Sequence, residues 1–111
     1  MEKLFSMSFT TPLPPAQMFG RLAASKDWHW AERAAERWGD YLSSTEVPGF
    51  PGTSVAVFSG QPEPGRCALN VKFRSDRPDA EARLDSLRKL LLATVIASVE
   101  AHDVKESEFL E

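Results

Sequence analysis

The chain carries a single cysteine, Cys67, among 111 residues, so no internal disulfide framework is available to hold it together. Histidine is nearly as scarce. His29 and His102 lie more than seventy positions apart and, with Cys67, make no spacing that resembles a zinc site, so no metal is expected. No glycine-rich loop follows a strand to cradle phosphate, because "PGFPG" places prolines where amide donors are needed. No nucleophile elbow is present, and nothing selects a Ser–His–Asp set from scattered residues. The reading therefore names no catalytic residue and no cofactor.

Long apolar runs are missing too. The longest, "LLLATVIASV" from Leu90 to Val99, is half of what a membrane-spanning helix needs. The opening "MEKLFSMSFTTP" alternates apolar and polar residues without the continuous stretch of a signal peptide, so a cytoplasmic location is expected and no membrane partner. There is no basic stripe to neutralise phosphates, which argues against nucleic acid. Net charge is −3, and residues 100–111 hold five acids against one lysine, leaving the rest of the chain close to neutral. Such an acidic end serves solubility first, and it also permits a basic protein partner.

What is present is an ordinary globular composition, 42% apolar and 26% charged, in a length that suits one domain over residues 1–111. Leu4 to Thr11 sets Phe5, Met7 and Phe9 on one side and Ser6, Ser8 and Thr10 on the other, the period of a half-buried strand. Pro15 opens a short amphipathic helix bearing Met18, Phe19 and Leu22. Tyr41 to Val47 reads as a strand, and the loop after it carries Phe50 between two Pro-Gly pairs. "SVAVFSG" and "CALNVKFRS" read as an antiparallel pair, with Cys67, Leu69, Val71 and Phe73 on the apolar face, which makes Cys67 a core thiol. Asp76 can then cap a helix whose stripe is Leu84, Leu87, Leu91, Val95 and Val99. The periodicity carries it from residue 77 to about 102, or ~38 Å. Together these predict an α+β fold: an antiparallel sheet of about four strands, helices packed on one face, and a long C-terminal helix.

All three tryptophans and the one tyrosine fall within "DWHWAERAAERWGDY", Asp27 to Tyr41. Helix propensity favours a helix with Trp28, Ala31, Ala35 and Trp38 on one stripe and Trp30 off it. The W-x-W alternation and the like-charged pairs Glu32–Glu36 and Arg33–Arg37 favour a hairpin. The helix is the expectation carried forward.

The function expected is a non-catalytic protein-binding module, of the inhibitor or immunity (antidote) type or the chaperone type found in bacteria. Tyrosine, tryptophan and arginine dominate interface hot spots, and the candidate partner-binding set is Trp30, Arg33, Arg37, Asp40, Tyr41 and Phe50. The alternative is a small-ligand-binding protein or minor enzyme with a Trp-lined pocket around His29 and Tyr41. A subunit that is complete only as an oligomer is a third reading. A monomer is favoured over a homodimer through the helix 77–102, because the aromatic segment needs a place to pack.

Overall fold

The computed structural model describes residues 1–35, 39–61 and 63–108. Glu2–Thr10 forms β1 and Pro15–Ala23 forms α1. A meander follows of β2 (Ala31–Ala35), β3 (Gly39–Ser44), β4 (Ser54–Ser59) and β5 (Cys67–Arg74). Ala80–Leu91 is α2, prolonged by a π turn over Leu92–Ile96, and His102–Glu108 is β6. All strand pairs are antiparallel, and the sheet order is β2-β3-β4-β5-β1-β6. The first strand of the chain thus lies between the fifth and the sixth.

Two expectations are corrected here. The sheet has six strands, not about four, and there is no long C-terminal helix. The stripe itself is real: Leu84, Leu87, Leu91, Val95 and Val99 are all buried. Its end was invisible because the stop signal is missing. The Ala101 amide bonds the Ile96 carbonyl and the Glu100 amide bonds the Ala97 carbonyl, each at 3.2 Å, the two closing bonds of a Schellman motif. The residue forced into the left-handed region is Glu100, at φ 55°, where glycine is usual. Arg21 holds its carboxylate at 3.0 Å. The helix also starts later than expected, at Ala80, with Asp79 rather than Asp76 preceding it. The later residues of the expected helix 77–102 are therefore divided. Val95, Ile96 and Val99 join the core, Leu92 is exposed, and His102 belongs to a strand. No helix among the described residues is long and apolar enough to cross a membrane.

The described part of the aromatic segment is extended rather than helical, a third correction. Ala31 pairs with Ser43 and Ala35 with Gly39, making β2–β3 a hairpin. In an extended chain Trp28 and Trp30 share a side, and their rings stack with centroids 5.3 Å apart. A helix would set residues two apart on opposing sides and forbid that contact.

One face of the sheet packs the core. Phe5, Met7 and Phe9 of β1 join Leu69, Val71 and Phe73 of β5, Val55 and Val57 of β4, and Leu42 of β3. These bury against Met18 and Leu22 of α1 and Leu84, Leu87 and Leu91 of α2. Both helices thus lie on the same side. Burying each such side chain contributes about 1.5–3 kcal/mol, so the apolar alternation of β1, β4 and β5 positions the helices.

The acidic end folds back as β6 and is tied down by charge rather than by apolar burial. Glu100 faces Arg21, Asp103 faces Arg66 at 2.7 Å, Glu106 faces Arg88 at 2.8 Å, and Glu108 faces Lys3. Arg66 is the tightest of these ties, only 11% exposed along its side chain. Its Nε and Nη2 donate to Ser8 Oγ on β1, while Nη1 and Nη2 donate to the side chain and backbone of Asp103 on β6. Asp103 sits at φ 52°, where the β1–β6 register slips by one residue, as a bulge requires.

Two outcomes are expected. Replacing Glu100 with glycine removes the left-handed strain, and the thermal midpoint rises, by about 0.5–1 kcal/mol of stability less any share the exposed Arg21 pair supplies. Acidification acts on β6. Hydrogen bonds from Arg66 and Lys3 hold the Asp103 and Glu108 carboxyls below the usual range. Their contribution is complete above about pH 4.5 and is lost as pH falls through the lowered values. Thermal melts should show a midpoint that declines below about pH 4, and Asp103→Asn should flatten part of that decline. An identical acid limb in wild type and variant would show that the pair does not hold the strand.

Candidate functional site

The fold splits the six residues proposed from the sequence into separate neighbourhoods. Arg33 and Tyr41 are direct cross-strand partners on β2 and β3, and Asp40 is the next residue along. Trp30 packs against the edge of the core, stacked on the buried Trp28. Phe50 is a plug in the β3–β4 loop, with the Arg83 guanidinium of α2 5.0 Å from its ring centroid and Arg83 Nη2 donating to the Gly49 carbonyl at 2.6 Å. Arg37, and Trp38 with it, falls outside the described residues. The pocket proposed around His29 and Tyr41 is likewise divided. Tyr41 lines a recess of about 460 Å³ beside Phe19 and Asp40, while His29 lines another, of about 530 Å³, beside Glu46 and Phe50. Neither Trp28 nor Trp30 lines either one.

What the structure does assemble is the face of the sheet that no helix covers. The strand registers align Arg33, Tyr41, Phe58, Ala68, Ser8 and Lys105 in one row across all six strands. The adjacent row is Ala31, Ser43, Ala56, Asn70, Ser6 and Ser107. Small side chains predominate in the second row. From the first, Tyr41 and Phe58 rise as a stacked pair, ring centroids 4.7 Å apart, and near the middle Ser6 donates to Asn70 Oδ1 at 2.8 Å. One further row on, Lys72 lies opposite Leu4 on one side and Ser54 on the other.

The electrostatics of this face favour anions. The Glu2 carboxyl is held below the usual range chiefly by a hydrogen bond from Arg74, with the fields of Lys72 and Arg74 adding to it. Asp103 is lowered chiefly by Arg66, then by Lys105. On the opposite face burial pushes the Cys67 thiol up, with a hydrogen bond to Ser59 opposing the rise, which leaves it an inert core group. Every resolved shift thus has a structural cause. Among the described residues no three His, Cys, Asp or Glu side chains converge as a metal site would require.

Sequence reasoning found Arg33 and Tyr41 and missed Phe58, Lys72 and Lys105. The alternation of β5 does separate Lys72 from the apolar side. Only the pairing register reveals that it shares a face with residues some forty positions before it and thirty after.

Stacking of Trp30 on Trp28 gives a stability test. Trp28→Ala should cost about 3–5 kcal/mol and Trp30→Ala less, since its ring is only partly buried. The double-mutant cycle in urea should yield a coupling of about 0.5–1.5 kcal/mol. Strictly additive losses would show that the rings do not support one another.

No known family model matches this chain, and no curated protein matches it; what the chain does is read from its geometry.

Proposed function

We propose that this chain is a non-catalytic protein-binding module of the inhibitor or antidote kind, acting in the cytoplasm and presenting the open sheet face to its partner. One observation carries the reading. Both helices cover one side of a six-stranded sheet, and the other side is left with a tyrosine–phenylalanine stack among small residues and an arginine beside it. An aromatic anchor with an adjacent arginine matches the composition of protein-interface hot spots. A small-molecule site would instead enclose its ligand in a concave apolar pocket, and the two residues proposed for one line different recesses.

The test is affinity capture with the full chain and its variants, using partner isolated from the source cell. Tyr41→Ala and Phe58→Ala should each weaken retention by roughly tenfold or more, as a lost anchor of about 1.4–2 kcal/mol implies, with only a small change in melting temperature. Lys89→Ala, exposed on α2 on the helix side of the sheet, should leave retention unchanged. Equal capture by wild type, Tyr41→Ala and Phe58→Ala would remove the open face from the function.

A further inference from the structure

We infer that the open face selects an acidic protein surface, with Arg33, Lys72 and Lys105 as the residues that read its charge. The inference rests on the reading of the chain as a protein-binding module and adds the chemistry of the partner.

The charge of the open face differs in sign from that of the whole chain. The open face holds five cations, Arg33, Arg66, Lys72, Arg74 and Lys105, against two carboxylates, Glu2 and Asp103. The whole chain carries −3. A protein negative overall has thus gathered its surplus of positive charge on the one sheet face its helices leave bare. Both carboxylates there are already engaged, Glu2 by Arg74 at 2.8 Å and Asp103 by Arg66 at 2.7 Å. Among the described residues Arg33, Lys72 and Lys105 form no ion pair with a carboxylate. Arg33 and Lys105 stand at opposite ends of the row that contains Tyr41 and Phe58, so the aromatic anchor is bracketed by positive charge.

Other occupants fit less well. A second copy meeting this face with its own would set cation against cation. A basic partner, which the acidic end of the chain suggests in the sequence, loses its attraction because Glu100, Asp103, Glu106 and Glu108 are each matched by a cation of the same chain. Single-stranded nucleic acid stacks its bases on open aromatic faces, but Tyr41 and Phe58 lie against each other at an interplanar angle of 24°, each covering one face of its neighbour. Opposed charge at the rim of an interface mainly speeds association and rejects wrong partners, and added salt weakens it.

A random-peptide display library panned against the immobilised full chain tests this, with the reversal variant Arg33→Glu/Lys72→Glu/Lys105→Glu run in parallel and its fold checked by circular dichroism. The expected result is enrichment of peptides rich in aspartate and glutamate, held about tenfold or more better by the wild type than by the variant and released by added salt. Should the reversal variant not fold, Lys72→Gln/Lys105→Gln replaces it, with the same direction of change. Acid-poor peptides, or acidic peptides held equally by both proteins, would overturn the inference and leave the protein-binding reading standing. No enrichment of any peptide would overturn both. Binding of oligouridylate that the reversal abolishes, without acidic peptides, would assign the face to nucleic acid. Salt-sensitive self-association in sedimentation, lost in the variant, would assign it to a second copy.

Discussion

The pairing of β1 with two strands from the far end of the chain is the constraint on which the rest of the structure depends. Phe5, Met7 and Phe9 are each nearly inaccessible to solvent and face Val71, Leu69 and Cys67 across the sheet. On its other edge β1 bonds a strand that begins at His102. Because side chains alternate strictly along a strand, this register decides more than the core. Fixing Phe5, Met7 and Phe9 inward fixes Ser6 and Ser8 outward, and the same register on β4 and β5 turns Phe58 and Lys72 outward as well. The candidate surface is the obverse of the hydrophobic pattern. A slip of one residue in β5 would turn Lys72 into the core and Phe73 out of it, so the apolar face defends the geometry of the polar one.

Charge is used for two separate purposes. At β6 it is structural: opposite charges from β1, from the residue before β5 and from α2 hold a strand whose seven residues are all exposed and contribute little apolar area. Surface ion pairs taken singly contribute little. Here they act together with a ladder of backbone hydrogen bonds to β1 and the largely buried guanidinium of Arg66. On the open face Arg33, Lys72 and Lys105 form no ion pair among the described residues, and they outnumber the carboxylates there.

The parts of this architecture that bury one clean face were legible from residue order. β1, β4, β5 and α1 announce themselves through Phe5–Met7–Phe9, Val55–Val57, Leu69–Val71–Phe73 and Met18–Leu22. β6 did not, because an edge strand outside the core carries no apolar alternation; "HDVKESE" looks like a charged tail. The end of α2 was hidden because Glu100 takes a left-handed conformation that sequence rules reserve for glycine. The aromatic segment was misread because "AERAAER" has the composition of a helix, while its strand character comes from pairing with β3 and from the Trp28–Trp30 stack. Of the candidate site, the hairpin half was visible through Arg33 and Tyr41. The remainder came from three other strands, and no local pattern joins Tyr41 to Phe58, Lys72 and Lys105.

The placement of β1 between β5 and β6 has a consequence for the ribosome. Its contacts with β6 link residues as far apart as Lys3 and Glu108, 105 positions in sequence. At about 5–20 residues per second, translation leaves one hydrogen-bonding edge of β1 uncovered for roughly 5–20 s after the strand emerges. Throughout that interval the backbone amides and carbonyls on that edge of β1 lack their final partner strand, the state in which edge-to-edge association begins. The serines that alternate with Phe5, Met7 and Phe9, and the prolines that follow in "PLPP", are the features nearest to hand that make β1 a poor template for another chain.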